Sequence, residues 1–418
     1  MLLRPFWPPF RRFNLQSWAG LDWWLLGLPI GLTFLAGLLI RSTQQNADYA
    51  DWWQHWVTGG VGIALVFWLA RCRYQTFFQL RWVIYGVTIA SLLAVDLFGT
   101  TALGAQRWIS IGGFNVQPSE FAKLGMIIVL AGFLSQNTAD RLGVLLQALG
   151  IMAVPWFLVF AEPNLGTSLV FGAIALGMLY WANAKPAWLV MLLSPLLSGI
   201  LFGLFKPGWA VWLGLIGYLG WRSFPWRWLG GGIALLVNLV AGAGVGWAWQ
   251  HVLHDYQRDR LILFLDPSKD PLGGGYHLIQ SRIAIGAGGL WGQGLNHGTQ
   301  TQLRFIPEQH TDFIFTALGE ELGFIGCVLV LLAFWLICWR LIVIAQTAKD
   351  NFASLLAIGV FSMLIFQVLI NVAMTVGLGP VTGIPLPWLS YGRSALLMNF
   401  MAIGVVEAVA MRRYRLRF

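Results

Sequence analysis

The sequence predicts an all-α polytopic membrane protein, and three observations carry that prediction. Of 418 residues, 58% are hydrophobic and only 10% are charged, against roughly a quarter charged in a soluble domain. Long apolar runs recur from end to end, on the scale of the roughly 20 residues a helix needs to cross a bilayer. No polar segment is large enough to fold as a separate soluble domain. The chain reads as one integral membrane domain, residues 1–418.

Apolar runs between polar breaks predict about twelve spans, near 22–41, 55–70, 80–98, 118–134, 142–161, 165–182, 186–205, 207–221, 228–249, 313–339, 352–377 and 394–411. The first twenty residues carry Arg4, Arg11, Arg12 and several prolines. They lack an apolar core before a small-residue cleavage site, so the first span is expected to anchor the chain with no signal peptide removed.

With the N-terminus in the cytoplasm, sixteen of the 26 Lys and Arg residues fall on the inner face, and Lys/Arg bias of this kind sets orientation. Both termini are therefore expected inside, in a multi-pass protein of the cell membrane. The net charge of +9 follows from this arrangement and calls for membrane lipids as neighbours, with no nucleic-acid partner. Trp23, Trp24, Trp52, Trp53 and Trp56 cluster at predicted span ends, where indoles meet headgroups. Cys72, Cys327 and Cys338 show neither metal spacing nor a disulfide framework.

One connection is long. Residues 250–312 leave the membrane on the outer face, and nine glycines fall between Gly273 and Gly298. Loops of this length are usually functional. Within it, "YHLIQSRIAIGAGGLW" places Ile279, Ile283, Ala287 and Leu290 near one helical face, which predicts a short helix lying in the interface. The run "GAGGLWGQG" is no dinucleotide fingerprint, because no strand precedes it and the spacing fails.

Charge in so apolar a chain marks the candidate site. "RFIPEQHTDFIF", 304–315, holds Arg304, Glu308, His310 and Asp312 at the mouth of a span. Asp312 or Thr311 could cap the helix that follows, but that leaves Glu308 and His310 unexplained. Arg258 and Arg260, in "HDYQRDR", suit phosphate oxygens or ordinary headgroups. Glu120 and Lys123 stand at i, i+3 on the face of another span. Each would cost roughly 2.5–3.5 kcal/mol at a helix centre, and pairing lowers that cost; a structural ion pair and a functional cavity both fit. Asp96, Glu162, Glu320, Glu321 and Glu407, at other span ends, are weaker candidates.

Several stretches together resemble the SEDS family (shape, elongation, division and sporulation). They are "AQRWI" (105–109), "QPSEFAK" (117–123), "PNLGTSL" (163–169), "HDYQRDR" (254–260), "FLDPSKDPLGGGYHLIQS" (264–281), "GLWGQGLNHGTQTQLRFIPEQHTDFIF" (289–315) and "PLPWLSYG" (385–392). The "HDYQ" and "HGTQ" stretches favour the elongation branch over the division branch. The resemblance implies a glycosyltransferase that polymerises lipid II outside the membrane, with a class B penicillin-binding protein as transpeptidase partner. It implies a catalytic role for Asp312 and substrate contacts at Glu120, Lys123, Arg107 and Trp108; Arg258, Arg260, Glu308, His310 and Ser390 are the further substrate-binding candidates.

Three departures from the family pattern stand out. Asn164 occupies the place of an Asp in "PDLGTS", which weakens the case for a divalent cation such as Mg or Mn while leaving room for one. Arg393 follows "SYG" where a Gly is usual. Family members usually have ten spans, so the surplus points to an extra helical hairpin in 184–250. The expected chemistry is an inverting displacement with Asp312 as general base. The rival reading is a flippase for lipid-linked precursor, since charged residues inside spans also suit a transport path.

Overall fold

The computed structural model describes residues 20–44, 51–102, 105–111, 114–162, 164–251, 275–303, 305–306 and 309–413. Twelve long helices coincide with the twelve expected segments: α1 (Trp23–Thr43), α2 (Trp52–Arg71), α3 (Tyr74–Phe98), α4 (Pro118–Leu134), α5 (Leu142–Ala161), α6 (Leu165–Trp181), α7 (Pro186–Leu204), α8 (Lys206–Ser223), α9 (Arg227–His251), α12 (Ile314–Gln346), α13 (Asn351–Thr375) and α14 (Arg393–Arg413). Among the described residues, two shorter helices, α10 (Tyr276–Gly288) and α11 (Thr299–Gln302), lie between α9 and α12. Among the described residues, eight helices are both long and apolar enough to cross a membrane. The others are shorter or less apolar.

Local chemistry sets several starts. Pro118 and Pro186 open α4 and α7, where a missing N–H costs nothing. Asp22 caps α1 by accepting from the Leu25 N–H at 3.3 Å, and Asp350 caps α13 by accepting from Ala353 at 2.8 Å.

The β-structure was not expected. Between α3 and α4 the chain forms β1 (Thr100–Ala102), β2 (Ala105–Ile111) and β3 (Phe114–Val116), a small antiparallel sheet in the order β1-β2-β3. Thr100 pairs with Trp108 and Ile109 with Val116. Strands of three to seven residues give too short an alternation to rise above the apolar background.

The centre of the bundle is α4, α13 and α14, buried along most of their length, whereas α3 and α7 expose most of theirs. Large apolar side chains such as Leu97, Leu204 and Trp228 point outward, as lipid contact requires. Helices α7–α9 pack mainly on one another, around a polar node in which Asn238 Nδ2 donates to Ser194 Oγ at 2.8 Å and Trp209 Nε1 to Ser198 Oγ at 2.8 Å. This three-helix unit spans the segment in which an extra hairpin was expected.

Helix α10 is the short helix expected, and its contacts orient it. Leu278, Ser281, Ala284 and Gly288 face inward, where the Ser281 and Thr316 hydroxyls are 2.6 Å apart. Ile283 and Leu290, from the face read as apolar, point outward.

Candidate active site

The direction of three helices decides which residues share an end of the bundle. Asn164 reaches Ser119, and the Ala139 N–H donates to the Ala182 carbonyl, so α4 and α6 run parallel. Gly177 packs on Ser362 while Gly166 packs on Thr382 and Ile384, so α13 runs antiparallel to both. The starts of α4 and α6 therefore meet the end of α13. The start of α14 joins them, because Ser394 Oγ accepts from the Gln117 N–H at 3.0 Å and donates to the Asn115 carbonyl at 3.3 Å.

At this end α4 carries the charged pair its sequence announced. Lys123 Nζ donates to Glu120 Oε2 at 2.7 Å, with side chains 1% and 4% exposed. At 1.5 Å per residue the pair sits about 3–8 Å inside the helix start. Arg107, on β2, donates from Nε to the Glu162 carbonyl at 3.2 Å, and both Arg107 and Trp108 are half-buried.

Asp312 lies in a turn, half-buried, one residue before the α12 N-cap, which is Phe313; it is not the cap of that helix. Contacts from several elements fasten the turn. Gln309 Nε2 donates to the Thr43 and Thr301 carbonyls at 3.0 and 3.1 Å. The Tyr391 N–H donates to the His310 carbonyl at 2.9 Å, with the two rings 5.7 Å apart. Asn371 Nδ2 donates to the Asp312 carbonyl at 2.9 Å and to that of Ile384 at 2.8 Å. Tyr391 also donates from its hydroxyl to Gln54 at 3.1 Å. Burial, aided by the Asp51 charge, pushes that phenol up to about 12 against the pull of Arg393, so it is a neutral donor at neutral pH.

Ser390 is buried, and its hydroxyl accepts from the Leu386 N–H at 2.7 Å. It closes the turn that presents Tyr391. The structure thus brings Arg107, Trp108, Glu120, Lys123, His310, Asp312 and Ser390 to one end. Arg258, Arg260 and Glu308 lie outside the described residues.

Asn164 answers the question of a metal in part. Its Oδ1 accepts from the Thr167 N–H at 3.3 Å, capping α6. Among the described residues no cluster of three or more His, Cys, Asp or Glu could hold a metal ion. A neutral amide already engaged as a helix cap makes Asn164 a weaker ligand for a divalent cation than the Asp it replaces.

Two carboxylates flagged by the sequence prove structural. Glu320 accepts from the Gln300 and Thr301 N–H groups at 2.8 and 2.9 Å and from the Thr301 hydroxyl at 2.5 Å, holding α11. Glu321 accepts from the Ser42 hydroxyl at the end of α1. Sequence reasoning passed over Asn371, Gln309 and Tyr391. An Asn within a 25-residue apolar helix was a legible signal, since buried polar groups in spans are costly.

The family model described as "Cell cycle protein", for FtsW, RodA and SpoVE, matches residues 20–211 and 227–415. The chain belongs to the FtsW/RodA/SpoVE family. The match breaks at 212–226, across the second half of α8 and the turn to α9. Within this family, the chain is 39% identical over 334 residues to the peptidoglycan glycosyltransferase MrdB of Escherichia coli K12, covering 79% of this chain and 77% of that protein. It is 32% identical to the peptidoglycan glycosyltransferase RodA of Treponema pallidum, over 96% of this chain and all of that one. A chain from a solved peptidoglycan synthase complex, studied for its coordination of polymerization and crosslinking, superposes with a TM-score of 0.73 at 29% identity, over 95% of this chain and all of that one. Crystalline RodA of Thermus thermophilus gives a TM-score of 0.63 at 23% identity, over 96% and 99% of the two chains, a likeness of fold.

Proposed function

We propose that this chain polymerises lipid II into glycan strands during cell elongation, with Asp312 as the general base. It is a peptidoglycan glycosyltransferase by its family and by the activity named for its relatives. The observation that carries the site is the Asp312 turn, clamped at the same end of the bundle as the buried Glu120–Lys123 pair.

The acceptor's 4-hydroxyl oxygen attacks the donor's anomeric carbon while the bond from that carbon to the diphosphate oxygen breaks. The electron pair leaves with the polyprenyl diphosphate, and the hydroxyl proton passes to the Asp312 carboxylate. One displacement inverts the α-linked donor to a β-linked product. A positioned base contributes about 10²–10⁴ in rate. Positioning and charge stabilisation of the leaving diphosphate supply the rest, from Lys123, Arg107, Arg258 and Arg260, with Glu120 orienting Lys123. His310, Glu308, Trp108 and Ser390 complete the substrate contacts.

Orientation follows from charge. The opposite end gathers Arg71, Arg340, Arg412 and Arg413: Arg340 and Arg413 pair with Asp22, and Arg412 donates to the Arg71 carbonyl at 2.9 Å. Excess Arg is typical of the cytoplasmic side, which supports both termini inside and the Asp312 end outside. A class B penicillin-binding protein is the partner this reading assigns, supported by the likeness to a chain of a synthase complex that couples polymerization to crosslinking.

A flippase would place its charge at the midplane, whereas the Glu120–Lys123 pair lies within about two turns of a helix start. Purified protein given lipid II is expected to make strands that a muramidase, specific for β-1,4 links, degrades. Transfer of labelled lipid between leaflets with no strands formed would overturn the reading.

A further inference from the structure

We propose that Asn371 is a positioning residue for the reaction: its side-chain amide holds the main chain of Asp312 where the carboxylate can reach its substrate. The inference rests on the assignment of Asp312 as the base.

A base must come within about 2.6–3.2 Å of the group it deprotonates, and a misplacement of about 1 Å can cost on the order of 10²-fold in rate. Asp312 sits in a turn, outside regular structure, so its placement depends on what grips the turn. Among these fastenings, Gln309 and Tyr391 act on neighbouring residues, and Asn371 acts on Asp312's own peptide unit.

The geometry of Asn371 suits a clamp. It is 0% exposed, on the well-packed α13, and its Nδ2 donates at once to Asp312 and to Ile384. The two carbonyls belong to separate loops, and the amide braces one against the other. Ile384 leads into the Leu386–Ser390 turn and to Tyr391, whose N–H returns to His310. A closed ring of bonds thus surrounds the base.

A polar side chain buried in a membrane helix is costly, and helix packing does not explain this one. Among the described residues its Oδ1 has no hydrogen-bond partner, nor has either amide atom of Gln367, one turn deeper on the same face. What Asn371 does satisfy is the pair of loop carbonyls beside the site.

The test uses the full-length protein with lipid II and follows kcat, KM, lipid II binding and melting temperature. Asn371→Asp keeps the volume and removes the donors; Asn371→Ala removes the side chain. Thr375→Val is the control, one turn away on α13, where the hydroxyl donates only to α13 carbonyls, Asn371 at 3.1 Å and Val372 at 2.9 Å. Both Asn371 variants are expected to lose about 10²-fold in kcat, with binding and KM within about threefold and a displaced acid limb in the pH profile of kcat. Thr375→Val is expected to keep its kcat. Wild-type kcat in the folded fraction of the Asn371 variants would overturn the proposal. So would a loss that merely follows melting temperature as it does in Thr375→Val, or an Asn371→Asp chain that cannot fold. Asp312→Asn, assayed alongside, separates the two claims, since activity there defeats the base assignment itself.

Discussion

Glu120 and Lys123 show what a membrane interior demands of charge. Removing one partner of a buried pair leaves an uncompensated charge and costs about 3–5 kcal/mol, whereas replacing both with apolar groups is often neutral. Lys123→Met alone is therefore expected to lower the melting temperature, and Glu120→Leu with Lys123→Met to restore it. Polymerisation should stay lost in the double variant if, as proposed, the pair serves the site. Recovery of activity together with stability would make the pair purely structural. These residues were legible because charge is rare in this chain, and Asp312 was legible for the same reason. Asn371 was not read, because its meaning lies in the Asp312 and Ile384 carbonyls, which only folding brings to it.

Helix α12 carries the least expected element. It breaks at Gly323, whose φ of 66° and ψ of −167° lie in a region nearly closed to other residues. The N–H groups of Phe324 and Ile325 donate instead to the carbonyls of Gly289 and Leu290, at 2.9 and 3.2 Å. In return the Gln293 and Gly294 N–H groups donate to Glu320 and Glu321 carbonyls at 2.9 and 3.0 Å. The glycine-rich run that is no nucleotide loop is thus a backbone patch over a broken helix. Gly323→Ala is expected to destabilise the protein by about 1–3 kcal/mol, read as a lowered melting temperature; an unchanged value would contradict the strain. The twelve helices were readable from their length and apolarity alone. The break was not, because its partners lie some thirty residues upstream and meet it only in three dimensions.

At the scale of the molecule, the proposed orientation sets the Arg-rich end inside and the Asp312 end outside. Cys72, between α2 and α3 at the end opposite Asp312, is the one cysteine of the three that is not buried. A membrane-impermeant maleimide should label it from the cytoplasmic side alone, and labelling from outside would invert the topology. Burial raises the thiol's pKa despite nearby Arg412, so its thiolate fraction grows, and labelling quickens, as pH rises through that elevated value. The surplus hairpin fits the same frame. A hairpin of two helices would leave every later span in its original direction, as the proposed outer placement of Asp312 requires.

The central claim is that this end of the bundle polymerises lipid II through Asp312. The most direct measurement compares wild type, Asp312→Asn and Asp312→Ala, each purified and folded, for strand formation from lipid II with and without the transpeptidase partner. The account predicts long strands from the wild type and a loss of at least about 10²-fold in both variants, with lipid II binding retained. Strands made by either variant at near the wild-type rate would contradict it.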